Sequence, residues 1–180
     1  MNSKRKSKEH FKAVADALGL VDLEQVSCAV GILRIVKQRK GMVWIVGNGG
    51  SAATAEHFAN DLLKTAGVRA VALPGMTSTV SAYGNDEGWE NMYKHTLLGL
   101  SKQDDALVAI SCSGNSPNVY ELAHWWFDNL VVLTGNEKIK NKLANINQGV
   151  PVIHVEDSDI AVQEDVHLSI CHAIAKSLVK

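Results

Sequence analysis

The 180-residue sequence contains no apolar run approaching the length needed to cross a bilayer, which removes a membrane-spanning class. Its basic opening, MNSKRKSK, is not followed by the apolar stretch of a secretory signal. Cysteine is scarce: Cys28, Cys112 and Cys171 lie far apart and show no metal-type spacing. Together these absences predict a reduced, cytoplasmic protein. Excess charge is missing too. The net charge of −1 gives no general attraction for nucleic acid or membrane. No Gly-Lys-Ser/Thr sequence occurs, which excludes a Walker-type nucleotide loop. There is no internal repeat, low-complexity segment or linker.

What is present is ordinary for a globular chain: 46% apolar and 21% charged residues. The length suits one compact domain over 1–180, with a helical arm at 1–38 and an α/β core at 39–180. In the arm, Phe11, Val14, Ala15 and Leu18, then Val26, Ala29, Val30, Leu33 and Val36, recur at helical spacing. A break near Gly19–Asp22 divides two helices, with Asp22 as N-cap of the second. Short apolar segments follow at Met42–Val46, Arg69–Leu73, Ala106–Ile110, Leu130–Leu133 and Pro151–Val155. They read as strands buried on both faces. Helical patterns lie between and after them, near 51–66, 86–100, 117–127, 137–146 and 160–178. Strands alternating with helices predict an α/β fold with a doubly wound parallel sheet, whose ligands bind at the carboxyl ends of the strands.

The chain is organised around Val43 to Asp61, VWIVGNGGSAATAEHFAND. A buried strand breaks at Gly47, passes through Asn48, Gly49, Gly50 and Ser51, and enters a helix. Glycines let the backbone approach a ligand closely, and the helix N-terminus offers unpaired N–H groups and positive partial charge. His57 and Asp61 follow four residues apart, on one helix face, within reach of a common substrate or metal. The G-N-G-G-S-A run also fits a dinucleotide fingerprint, but such a unit needs an acidic residue at the end of its second strand. Here that strand ends Val71-Ala72-Leu73-Pro74.

A second loop follows the strand Ala106–Ile110: Ser111, Cys112, Ser113, Gly114, Asn115, Ser116, then Pro117, suited to the first turn of a helix. One serine would serve as an ordinary cap. Three within six residues exceed that need, and hydroxyls with free N–H groups clamp a phosphate without any cation.

GNGGS before a helix and S-x-SGNS after a later strand resemble the sugar isomerase (SIS) domain family, and nearly the whole chain is similar to its phosphoheptose isomerase type. The resemblance implies a five-stranded parallel sheet flanked by helices and a homotetramer with active sites at subunit interfaces. It implies a phosphate held by Ser111, Cys112, Ser113 and Ser116, with Cys112 where the family usually has threonine. Asn48, Gly49, Gly50 and Ser51 would line the sugar site, joined by Asn85 and Asp86. The family's His-Phe-x-x-Glu appears as His57-Phe58-Ala59-Asn60-Asp61, with aspartate for glutamate. Its last helix carries Gln, then His eight residues on. Counting back from His172 reaches Glu164, while the glutamine is Gln163; either Glu164 takes the place or a local shift restores Gln163, and Glu164 is preferred.

By that resemblance Asp61 and His172 form the acid/base pair, and His57, Asp61, Glu164 and His172 would hold one zinc ion per subunit. Eight helical residues rise about 12 Å, so Glu164 and His172 meet one ion only by both reaching inward, or with a second subunit supplying one of them. The implied reaction interconverts sedoheptulose 7-phosphate and D-glycero-D-manno-heptose 7-phosphate. The alternatives are isomerisation of another sugar phosphate, or a non-catalytic phosphosugar-binding or adaptor protein, such as one associating with the replication initiator. Nucleic acid and membrane are not expected partners. His167, five residues from His172, is read as structural, and His10, His95, His124 and His154 have no partner legible in the sequence.

Overall fold

A computed structural model describes residues 3–126, 128–135, 140–146 and 149–179. Helices α1 (Ser3–Gly19) and α2 (Leu23–Gln38) precede β1 (Val43–Val46), α3 (Gly50–Lys64) and β2 (Ala70–Ala72). Then come α4 (Thr77–Asp86), α5 (Met92–Leu98), β3 (Ala106–Ser111), α6 (Pro117–Trp125), β4 (Leu130–Gly135), β5 (Val152–Val155) and α7 (Ile160–Ser177). Asp22 caps α2 as expected, its carboxylate accepting from the Glu24 and Gln25 N–H groups at 2.9 and 3.2 Å.

The five strands form one sheet in the order β2-β1-β3-β4-β5, and every pairing is parallel. Alternate strand residues feed opposite cores. Val43, Ile45, Val108 and Ile110 pack with Leu33, Phe58, Leu62 and Ile170 of α2, α3 and α7. Trp44, Val46, Leu107 and Ala109 pack with Met92, Leu97, Val119 and Leu122 of α5 and α6. Burial on both faces explains why the strands read as unbroken apolar runs. The chain leaves β1 toward β2 on one side and leaves β3 toward β4 on the other. β1 and β3 are therefore neighbours whose following loops part in opposite directions, and such a switch point opens a ligand crevice at the strands' carboxyl ends. The glycine loop follows β1 and the serine loop follows β3, so both flank that crevice.

Two helical expectations change. The pattern near 86–100 resolves into α5 alone, and α4 precedes it where no helix was predicted. α4 buries none of its residues fully, so it carries no apolar stripe to read. Part of the segment 137–146 lies outside the described residues, and its described portion includes a 3-10 turn, Leu143–Asn145, in place of an α-helix. The arm divides in character: α2 buries Ala29, Leu33 and Val36, whereas α1 buries only Ala17 and leaves Phe11 70% exposed. No described helix is long and apolar enough to cross a membrane.

Candidate active site

α3 and α7 pack side by side, and their facing side chains bring three sequence-selected residues together. The Nε2 atoms of His57 and His172 stand 2.9 Å apart. The Asp61 carboxylate lies 3.5 Å from His57 Nε2 and 3.6 Å from His172 Nε2. All three ligand-capable atoms fall within 4.8 Å of one another. Each residue directs one potential ligand atom into the same space, where facing lone pairs would repel. A proton or a cation belongs between them. Two imidazoles and a carboxylate also match the three-ligand set of catalytic zinc. The half-exposed imidazoles leave the trio open to a substrate, while Asp61 lies deeper.

Glu164 is not brought to the trio. Its carboxylate lies over Gly50, where an added Cβ would overlap it, at the N-terminal end of α3. The two-turn separation from His172 keeps them apart, as the rise of an α-helix requires. Gln163 points the other way: it is fully buried, and its Nε2 donates to the Asp157 carbonyl at 2.6 Å. Of the two alternatives, Glu164 therefore faces the glycine loop.

The glycine loop is held from behind. Gly49 adopts φ +54°, a conformation that favours glycine. The side-chain amides of Asn48 and Asn118 donate to each other at 2.8 and 2.9 Å, linking the loop after β1 to the first turn of α6. The Tyr93 hydroxyl donates to the Gly47 carbonyl at 2.9 Å, and burial pushes its pKa up to about 12. Asn118 and Tyr93 were not singled out from sequence; the only signal was a polar residue on an otherwise inward-facing helical stripe. Beside this loop opens a cleft of about 440 Å³ lined by Asn48, Gly49, Thr77, Ser81 and Trp89 among others. Asn85 and Asp86 end α4 next to Gly84 of the same cleft, and the Asn85 amide donates to Asp86 at 2.7 Å.

In the serine loop the hydroxyl of Ser111 lies 3.3 Å from that of Ser116 and 3.5 Å from that of Ser113. Ser116 occupies the N-cap of α6 without capping it through its side chain, which leaves the hydroxyl for a ligand. The three hydroxyls surround the start of a helix, a suitable cradle for an anion. Cys112 turns its thiol inward, toward Ser51 and His167, with Sγ 3.8 Å from His167 Nδ1. Burial pushes that thiol up to about 11, and the Glu164 charge adds to the rise. His167 is fully buried and donates from Nε2 to the Thr134 carbonyl at 3.2 Å, in keeping with a structural role. Ser51 is buried against Cys112, so it braces the two loops against each other. His10 meets Asp165 at 2.9 Å, His95 meets Glu87 at 3.7 Å, and the His124 ring stacks on Tyr120 with centroids 5.6 Å apart.

The model of the SIS domain family matches residues 10–125. A phosphoheptose isomerase from Campylobacter jejuni is 34% identical over 161 residues, covering 84% of each chain. One from Akkermansia muciniphila is 33% identical over 177 residues, covering 93% of this chain and 88% of that protein. The structure of phosphoheptose isomerase from Neisseria gonorrhoeae superimposes with a TM-score of 0.87 at 30% identity, covering 97% of this chain and 96% of the other. That from Francisella tularensis gives 0.90 at 26% identity, covering 99% and 98%. Motifs, sheet order and these likenesses agree: the chain belongs to the SIS domain family and, within it, to the phosphoheptose isomerases.

Proposed function

We propose that this protein is an aldose–ketose isomerase that converts sedoheptulose 7-phosphate to D-glycero-D-manno-heptose 7-phosphate. The carrying observation is the convergence of His57, Asp61 and His172 in a chain of the phosphoheptose isomerase family. Isomerisation moves one proton between neighbouring carbons and another between their oxygens through an enediol. Asp61 and His172 supply the acid and the base, and the pair sits close enough for one to restore the other's proton. His57 holds both in register through its contacts to each. A zinc ion held by His57, Asp61 and His172 would polarise the substrate carbonyl. The hydroxyls of Ser111, Ser113 and Ser116, with the backbone of Cys112, hold the phosphate. Asn48 and Gly49 line the cleft that would take the sugar, Gly50, Asn85 and Asp86 adjoin it, and the Glu164 carboxylate stands against Gly50.

Seven residues of α3 separate Gly50 from His57, an axial rise of about 10 Å. The trio and the loops of one chain therefore stand at different heights along the same helix. A homotetramer with sites at subunit boundaries reconciles the two, because a neighbouring chain completes each site. The exposed Phe11, Leu20 and Leu23 at the outer edge of the arm, 70 to 75% accessible, suit burial against such a neighbour.

Purified protein should convert sedoheptulose 7-phosphate, assayed with and without added zinc. No conversion under either condition would sink the proposal and leave a phosphosugar-binding fold.

A further inference from the structure

The serine loop departs from strand geometry at its first two peptides. In a regular strand, successive carbonyls alternate between the two neighbouring strands. Here the Ser111 carbonyl accepts from the Thr134 hydroxyl at 2.7 Å and, within the loop, from the Gly114 N–H at 3.1 Å, and the next carbonyl, that of Cys112, accepts from the Gly135 N–H at 3.1 Å. Thr134 and Gly135 both belong to β4, so two consecutive carbonyls turn to the same side. In a trans peptide the C=O and the following N–H point in opposite directions. The N–H groups of Cys112 and Ser113 are therefore turned away from β4, toward the β1 side and the crevice. Consecutive N–H groups aimed into one concavity are an anion-binding arrangement.

The Gly135 contact is backbone to backbone, but the Thr134 contact depends on a side chain that is itself held. Thr134 is fully buried, and its Oγ1 accepts from the Asn141 amide at 2.8 Å while donating to Ser111. Asn141 is 1% exposed, donates also to the Gly135 carbonyl at 2.5 Å, and accepts from the Ala144 N–H at 2.9 Å. The same short segment reaches the loop directly, with the Leu143 N–H donating to the Gly114 carbonyl at 3.0 Å and the Lys142 N–H to Asn115 Oδ1 at 3.1 Å. We propose that Thr134, held by Asn141, is the positioning residue of the phosphate loop: by pinning the Ser111 carbonyl to β4, it aims the Cys112 N–H at the substrate phosphate. This rests on the reading of the serine loop as the phosphate site.

The test compares Thr134→Val, Thr134→Ser, Asn141→Ala and Ser116→Ala, using KM and kcat for sedoheptulose 7-phosphate and the Kd of inorganic phosphate. Thr134→Val keeps the side-chain shape and removes the hydroxyl. It should raise KM and the phosphate Kd about tenfold, the scale of one lost hydrogen bond, with kcat within about twofold of the parent. Thr134→Ser should restore both, since its hydroxyl can make the same bond. An unchanged phosphate Kd in Thr134→Val, alongside weakened binding in Ser116→Ala, overturns the positioning role and leaves the site reading intact. A fall in kcat at unchanged KM overturns it as well. Unchanged phosphate binding in Ser116→Ala overturns both readings together. If Thr134→Val fails to fold, Asn141→Ala decides, with a raised phosphate Kd expected and an unchanged one contrary.

Discussion

His57 and His172 face each other through their Nε2 atoms at 2.9 Å, and Asp61 stands within 3.6 Å of both. Two ring nitrogens at that distance are held by a proton or a cation between them. Replacing His172 with Gln keeps a polar side chain of similar reach but removes the titrating nitrogen. We expect turnover to fall by about 10²- to 10⁴-fold, the range for a positioned acid or base. The thermal midpoint and the Kd of inorganic phosphate should stay close to the parent's. Near-normal turnover in this variant would remove His172 from the chemistry.

The same three atoms make a metal prediction with a readout independent of catalysis. Titration calorimetry of metal-stripped protein should find one zinc bound per chain. His57→Ala and Asp61→Asn should each lower the affinity by at least about tenfold, because each deletes one of three ligands. Glu164→Gln, whose side chain lies at Gly50, should leave zinc affinity within about threefold in the single-chain site. A large loss in Glu164→Gln would mean that a second chain brings that carboxylate to the ion.

Much of this arrangement was legible in the sequence, for physical reasons. Strands covered on both faces must be apolar throughout, so β1, β3 and β4 declared themselves within two residues at their ends. His57 and Asp61 share a helix face by spacing alone, and glycine and serine clusters mark loops that approach a ligand. α4 was invisible because it has no buried stripe and no side-chain cap. The supporting contacts were equally hidden. Asn48–Asn118 spans 70 residues, and Thr134 reaches Ser111 across 23, and no local pattern encodes such pairs. The separation of Glu164 from His172 was readable from helical rise, but the destination of Glu164 was not.

Burial of His167 gives stability a defined acid limb. Desolvation lowers its pKa from 6.5 to about 4; the Thr134 carbonyl opposes the shift and His154 adds to it. Between pH 6.5 and about 4 the unfolded chain binds a proton that the folded chain refuses, so stability falls as pH drops through that window. At 1.36 kcal/mol per pH unit the loss amounts to roughly 3 kcal/mol. Urea unfolding at pH 7 and at pH 4.5 should show a decline that His167→Gln lessens. An equal decline in both proteins would place the acid sensitivity elsewhere.

The buried thiols give a simple accessibility prediction. Cys112 is pushed up to about 11 by burial, and Cys171 is fully buried and raised by the same cause. Neither offers thiolate at neutral pH, whereas Cys28 is exposed. In a Cys28→Ser background, iodoacetamide should label no cysteine until the protein is unfolded. Labelling of Cys112 in the folded protein would mean that the serine loop opens at its base.

Two glycines with positive φ separate the cost of conformation from the cost of space. Gly49 has φ +54° and ψ −123°, a mirror-image extended conformation that side chains avoid, and nothing within 4 Å of an added Cβ, so Gly49→Ala meets only the backbone penalty, about 1–3 kcal/mol. Gly114 has φ +62°, and its added Cβ would fall on the side-chain amide of Asn141. Asn141 has little freedom to retreat, since it is buried and bonded to Thr134, Gly135 and Ala144. Gly114→Ala should therefore destabilise by more than about 3 kcal/mol, the backbone term plus a displaced buried amide. It should also weaken inorganic phosphate binding, because a shifted Asn141 releases Thr134 and with it the orientation of the Ser111 peptide. Denaturant unfolding of the two variants measures the difference directly. Equal losses would show that Asn141 yields freely, and would argue against a rigid support beneath the serine loop.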